Sequence, residues 1–170
     1  PAMSALLPGA AVLEPNAATN QESGAAHGVQ DAPQRVVLDT NIVLDVLLFQ
    51  APEAEPLRAA LQAGQVQWLG TAHMREELRR VLAYPHIAQR VQFYGTTAEQ
   101  ILARRDQWVQ VLEAAPRCAF VCRDTDDQCF IDLAVAHGAL LLSKDAQVLK
   151  LRKRLARQGV VVSRSFPPAD

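Results

Sequence analysis

Aromatic residues are scarce in this sequence, at 5% of 170 residues, and none of them lies in residues 1–34. That leading segment is rich in Ala, Gly, Asn, Gln and Pro, and it shows neither helical nor strand periodicity. We predict a low-complexity, flexible tail at residues 1–34, one folded domain at residues 35–167 and a short C-terminal tail at residues 168–170.

Cysteine and histidine are too few and too scattered for a zinc site. Cys118, Cys122 and Cys129 lack the second Cys or His pair that structural zinc needs. The four histidines show no paired ligand spacing. The sequence therefore predicts structural thiols and argues against a zinc-dependent function.

Long apolar runs and a charge excess are also missing. No apolar run approaches the roughly 20 residues that span a bilayer, and no basic segment precedes the mildly apolar residues 5–13 as in a secretory signal. We therefore predict a cytoplasmic protein with no membrane partner. The 17 Lys and Arg nearly cancel the 18 Asp and Glu, so any attraction to nucleic acid must come from how the charges are arranged.

From Arg35 onward, short apolar runs alternate with amphipathic segments, a pattern typical of a parallel α/β sheet. The predicted strands are residues 36–38, 66–69, 119–122, 140–142 and 160–162. The predicted helices are residues 42–49, 54–63, 72–83, 85–93, 98–112, 128–137 and 146–158. Because ligands of such sheets bind at the carboxyl ends of the strands, the polar residues at that edge are the candidate site.

Acidic residues follow the predicted strands at that edge. Asp39 ends the first strand, and Asp145 comes just after the fourth. Helical steps of 100° place Glu77 on the edge of a buried stripe and turn Glu76 away from it. Asp127 continues the buried stripe of the next helix, where an uncompensated charge would be costly. The sequence therefore predicts that four acids approach one another.

Other acids and other roles stay open. Asp39 and Asp145 also suit helix capping, and Glu77 also suits pairing with Arg80 one turn later. Among the remaining acids, Asp124 and Asp126 either share the site or cap the following helix. Asp45 is predicted to be an internally satisfied polar residue, and Asp132, on the far face of its helix, to be solvated.

Gathered carboxylates repel one another, by up to roughly 4 kcal/mol per pair at 4 Å, unless protons or cations offset the charge. Hard oxygen ligands suit Mg²⁺ or Mn²⁺. One ion, or two ions about 3.5–4 Å apart, would lower the pKa of a bound water and stabilise the charge on an attacked phosphodiester. The pattern thus predicts metal-dependent hydrolysis, and this chemistry does not distinguish RNA from DNA.

Taken in order, these motifs resemble the PIN domain family, particularly bacterial toxin components of toxin–antitoxin pairs, including the VapC-like group. The resemblance covers about residues 35–167. It is carried by four segments: residues 37–41 (Val-Leu-Asp-Thr-Asn), Thr71 with Glu77 and Leu78, residues 124–127 with Ala134, His137 and Gly138, and residues 142–145 (Leu-Ser-Lys-Asp).

The resemblance implies a three-layer α/β/α sandwich, Mg²⁺- or Mn²⁺-dependent ribonuclease activity, a cognate antitoxin and frequent homodimers. The implied metal-binding and catalytic residues are Asp39, Glu77, Asp127 and Asp145. The three clustered acids leave open which of Asp124, Asp126 and Asp127 contacts metal. The implied positioning residues are Asn41 and Ser143.

Basic residues follow the last acidic motif. Lys144, Lys150 and Arg152 are candidate contacts to substrate phosphates, although such a run is also typical of a solvated helix face. With two Trp and two Tyr, base stacking is not evident from the sequence.

Three alternative functions share parts of this pattern. A haloacid-dehalogenase-type phosphatase needs a second Asp two residues after Asp39, where this chain has Asn41. A response-regulator receiver domain needs an adjacent acid pair on the first strand, which is absent around Asp39. A non-catalytic PIN fold that serves as a binding module is the third, and the presence of all four acids argues against it.

Overall fold

The computed structural model describes residues 32–119 and 127–168. By its contacts the chain from Pro33 onward forms one compact unit, and this unit contains the sheet. Asp124, Asp126 and Cys122, together with nearly all of the predicted N-terminal tail, lie outside the described residues.

Five parallel strands form one sheet in the order β3-β2-β1-β4-β5. Val36 lies opposite both Trp68 and Leu140, so β1 is the central strand. The prediction of a five-stranded parallel sheet is therefore confirmed. The strands are β1 Gln34–Leu38, β2 Val66–Gly70, β3 Val109–Val111, β4 Leu140–Leu142 and β5 Val162–Ser163.

Helices connect the strands, and several begin at a side-chain cap. Thr71 accepts a hydrogen bond from the Met74 amide, and Thr97 forms a capping box with Gln100. No helix in the described part of the chain is long and apolar enough to cross a membrane. The helices are α1 Thr40–Leu44, a π-helical continuation Asp45–Phe49, a 3₁₀ turn Pro52–Ala54, α2 Glu55–Gln62, α3 Ala72–Leu82, α4 Pro85–Phe93, α5 Ala98–Trp108, α6 Gln128–His137, α7 Ala146–Leu149 and α8 Arg152–Ala156.

The helix predicted for residues 98–112 was too long. It ends at Trp108, and Val109 to Val111 form β3, which pairs with β2 from Trp68 to Gly70. The alternation Val-Gln-Val suits a strand, and the open edge of β2 supplies the backbone partners that a helix would not use. Of the strand predicted at residues 119–122, only Ala119 is described, and it lies in a bend.

The end of the domain also differs in detail. The helix predicted for residues 146–158 is divided into α7 and α8, with Lys150 and Leu151 between them. The last strand lies at Val162–Ser163 instead of residues 160–162.

Side chains of the central strands alternate between two buried layers. Val36, Leu38 and Trp68 face the layer covered by α1 to α5, whereas Val37 and Leu69 face the layer covered by α6 to α8. Burial on both faces explains why these strands are almost uniformly apolar. The predicted three-layer α/β/α sandwich is confirmed.

Candidate active site

An open pocket of about 420 Å³ lies where the central strands end. Its wall contains all four acids singled out in the sequence, Asp39, Glu77, Asp127 and Asp145. The remaining residues of the wall are Thr40, Asn41, Arg80, Val81 and Tyr84. Tertiary structure thus brings acids from four chain segments to one concave surface.

Asp39 is held from both sides at the end of β1. Its Oδ1 accepts hydrogen bonds from the amides of Asn41 at 3.0 Å and Ile42 at 3.2 Å, which caps α1. Its Oδ2 accepts a hydrogen bond from the Ser143 hydroxyl. Burial raises the pKa of Asp39 above its ordinary value, these hydrogen bonds oppose the shift, and the negative charge of Asp145 adds to it. A cation in the pocket would therefore stabilise the charged form of Asp39.

Ser143 joins Asp39 to Asp145. It is completely buried behind the pocket, and its Oγ also accepts a hydrogen bond of 3.1 Å from the Asp145 amide. Asp145 in turn caps α7, because its Oδ1 accepts a hydrogen bond of 2.7 Å from the Gln147 amide. One hydroxyl therefore positions the acids of β1 and of the loop after β4.

Glu77 points from α3 into the pocket, as its helical position predicts. Its Oε1 accepts a hydrogen bond of 2.9 Å from Thr40 Oγ1. Glu76 is exposed and pairs with Arg79. The alternative partner of Glu77, Arg80, makes no ion pair with it among the described residues, although both line the pocket.

Asp127 stands immediately before α6 and makes no capping hydrogen bond to that helix. The pKa of Cys129 is raised to about 12, first by burial and then by the negative charges of Glu77 and Asp127. Those two carboxylates therefore lie near the same thiol, beside the pocket.

The basic residues that were predicted to contact substrate phosphates lie outside the pocket wall. Lys144 donates a hydrogen bond of 2.5 Å to Asp45, which confirms Asp45 as an internally satisfied acid. Lys150 and Arg152 are exposed near the ends of α7 and α8, and none of the three lines the pocket. Among the described residues, the cationic side chain in the pocket wall is that of Arg80.

Sequence reasoning missed three residues of the wall as functional candidates. Thr40 stands between two residues that were recognised, Asp39 and Asn41. Arg80 follows Glu77 by three residues on α3, and this helical spacing was the signal available to find it. Tyr84 lies beyond the end of α3, and the sequence offered no comparable signal for it.

The prediction that Asp132 is solvated was wrong. Its side chain is buried, and its Oδ1 accepts hydrogen bonds from the Cys118 amide at 3.0 Å and from Gln128 Nε2 at 2.9 Å. The segment that follows β3 packs Leu112 and Ala115 against the α6 layer, so this face of α6 is covered.

The pocket offers hard oxygen donors, which fit Mg²⁺ or Mn²⁺ in chemistry and charge. Within residues 32–119 and 127–168, no three His, Cys, Asp or Glu side chains form a ready-made metal cluster. The four carboxylates belong to four separate chain segments around the pocket, and the fit to a divalent ion rests on their donor type and on the burial of the Asp39 carboxyl.

The sequence was also compared with known protein families. The PIN domain pattern matches residues 35–146, more than half of the chain. The chain belongs to the PIN domain family. PIN domains are generally nucleases and typically bind divalent metal ions. The matched range contains all four acids of the pocket. No curated protein sequence matches this PIN domain chain significantly.

Proposed function

We propose that this PIN domain is a metal-dependent endoribonuclease that hydrolyses RNA phosphodiester bonds. The observation that carries the proposal is the convergence of Asp39, Glu77, Asp127 and Asp145 on one pocket at the carboxyl edge of the sheet. These residues would hold one or two Mg²⁺ or Mn²⁺ ions. A bound ion supplies a water of lowered pKa and offsets charge on the attacked phosphate.

The protein's own contribution is to orient the acids. Ser143 holds Asp39 through its hydroxyl, and Thr40 holds Glu77 at 2.9 Å. Hydrogen bonds of this kind restrict the orientations of the two carboxylates before any ion binds. Asn41 lies in the wall and offers an amide that can position a ligand or a water.

Arg80 is the proposed contact to the reacting phosphate. It lines the pocket on the same helix as Glu77, and a guanidinium can donate hydrogen bonds to the oxygens that gain charge during hydrolysis. Lys144, Lys150 and Arg152 are proposed contacts to flanking phosphates outside the pocket.

The proposed biological role is that of a toxin in a toxin–antitoxin pair. It would act in the cytoplasm as a homodimer and be inhibited by a cognate antitoxin. The resemblance of the four acidic motifs to VapC-like toxins supports this role. Growth arrest after induced expression in a bacterium, abolished by Asp39→Asn, would be the expected behaviour of a toxin.

The decisive experiment is an RNA cleavage assay in Mn²⁺, Mg²⁺ or EDTA. We expect metal-dependent cleavage that is lost in Asp39→Asn and Glu77→Gln. Glu76→Gln is the matched control, because Glu76 is the adjacent acid on α3 and faces away from the pocket. Full activity of Asp39→Asn, or equal loss in Glu76→Gln, would overturn the assignment.

The competing functions predict different results. A binding module would bind RNA and cleave none of a mixed set of single-stranded and structured RNAs in any metal. A haloacid-dehalogenase-type phosphatase would release phosphate from monoesters, but the position two residues after Asp39 carries the amide of Asn41.

A further inference from the structure

A cluster of aromatic rings lies at the far end of α4. The Phe93 and Tyr94 rings meet edge to face with centroids 5.3 Å apart, and Tyr94 lies 6.4 Å from Phe49. Phe93 is 79% exposed and Tyr94 is 43% exposed. Adjacent exposed rings are unusual on a chain with so few aromatic residues, and clustered exposed apolar surface often marks a binding site.

Two arginines accompany the rings. The Arg90 guanidinium lies 4.7 Å from the centroid of Phe49 and 5.5 Å from that of Tyr94, and it donates a hydrogen bond of 3.0 Å to Tyr94 Oη. Arg104 lines a pocket of about 250 Å³ together with Phe49 and Tyr94. Among the described residues that line this pocket there is no carboxylate. We call Phe49, Arg90, Phe93, Tyr94 and Arg104 the α4 aromatic cluster.

The backbone around this pocket departs from regular structure. The π-helical segment Asp45–Phe49 leads directly into Gln50, which has a left-handed φ of +48°. Pi-helical turns and non-glycine residues with positive φ are both enriched at functional sites. Gln50 and Phe49 both line the pocket, so the irregular backbone shapes its wall.

Helix α4 connects this cluster to the candidate active site. Tyr84, the residue before α4, lines the acidic pocket, whereas Phe93 ends the helix. The nine residues of α4 span roughly 13 Å, a distance that about four stacked nucleotides cover.

We propose that the α4 aromatic cluster is a subsite for single-stranded RNA, in which a base stacks on the most exposed ring, that of Phe93, and Arg90 and Arg104 face the strand. Aromatic rings combined with guanidinium groups bind single strands by stacking and charge. The inference rests on the proposed function, because both take RNA as the substrate. The absence of carboxylates from the described pocket wall and the link to the acidic pocket favour a nucleic-acid strand over a protein partner.

The test is binding of a fluorescent 12-nucleotide single-stranded RNA to the full chain, measured by anisotropy in EDTA so that no cleavage occurs. We expect Phe93→Leu to raise Kd about tenfold, since stacking of one base on an aromatic ring contributes about 1–3 kcal/mol, and Phe93→Trp to retain binding. Arg90→Gln should weaken binding and reduce the slope of log K against log salt by about 1.

Two matched variants serve as controls. Val111→Ala removes an apolar side chain that is 62% exposed on β3, and Arg35→Gln removes an exposed cation near the start of β1. Both should bind RNA like the wild type. Phe93 is so exposed that its variants should fold, and circular dichroism melts would verify this.

The outcomes separate this inference from the proposed nuclease activity. Wild-type binding by Phe93→Leu, or no RNA binding by the wild type at low salt, would overturn the subsite whatever the cleavage assay shows. Loss of self-association in Phe93→Leu with unchanged RNA binding would assign the surface to a second copy of the chain and also overturn it. Weaker binding of Phe93→Leu together with no metal-dependent cleavage would retain the RNA subsite and reject the nuclease.

Discussion

Thr40 Oγ1 donates a hydrogen bond of 2.9 Å to Glu77 Oε1, joining the first turn of α1 to the middle of α3. Thr40 follows Asp39 directly, so this bond links two of the four acids of the pocket through one short segment. The position of Glu77 therefore depends on a neighbour that carries no charge.

Thr40→Val should reduce RNA cleavage about tenfold or more, because it removes the hydroxyl that orients Glu77 and leaves the volume nearly unchanged. The measurement is kcat/KM as a function of Mn²⁺ concentration. Thr40→Ser keeps the hydroxyl and should restore activity. Wild-type kcat/KM in Thr40→Val would show that the bond does not matter for catalysis.

Asp39→Asn should leave the melting temperature unchanged or slightly higher in EDTA. The substitution removes an acid that is costly to ionise inside the protein, as shown by the way burial raises the pKa of Asp39. The amide oxygen can still accept from the Asn41 and Ile42 amides. In Mn²⁺ the wild type should gain stability by mass action, and the variant should gain much less. Equal metal-induced gains, measured by thermal melts, would count against Asp39 as a ligand.

Ser143→Ala should lower the free energy of unfolding by about 2 kcal/mol in EDTA, because the buried hydroxyl donates to a carboxylate and accepts from the Asp145 amide. Ser163→Ala is the matched control. The Ser163 hydroxyl is also largely buried, but it donates to a neutral carbonyl, that of Ser165, at 2.8 Å. Ser163→Ala should therefore lower the free energy of unfolding by only about 1 kcal/mol. Urea denaturation measures both, and a smaller loss in Ser143→Ala than in Ser163→Ala would contradict the prediction.

Asp106→Asn should destabilise the domain by less than about 1 kcal/mol at pH 7, since the pair with Arg75 is partly exposed. Hydrogen bonds from Arg75 lower the pKa of Asp106. A lowered folded-state pKa stabilises the protein above the ordinary pKa, and this contribution is lost as pH falls through the folded-state value.

The difference in unfolding free energy between wild type and Asp106→Asn should therefore shrink from pH 7 toward pH 3. Urea denaturation at several pH values measures it. A difference that grows as the pH falls would mean that the pair with Arg75 does not stabilise the folded state.

Local signals in the sequence were sufficient for much of the fold and for the acids of the pocket. Strands β1, β2 and β4 are apolar runs long enough to recognise, and α4 and α6 have the predicted bounds. Parallel strands align their carboxyl ends, so acids that follow β1 and β4 must share an edge. Helical periodicity alone directed Glu77 inward and Glu76 outward.

Tertiary structure decided what depends on contacts between distant segments. Val109 to Val111 are a strand because the edge of β2 pairs with them, although helical periodicity continues to Leu112. Asp132 is buried because the segment after β3 covers α6. The rings of Phe49 and Phe93 are 44 residues apart in the chain and show no common pattern. Periodicity reports which face of an element is apolar, whereas only packing decides what covers that face and which side chains meet there.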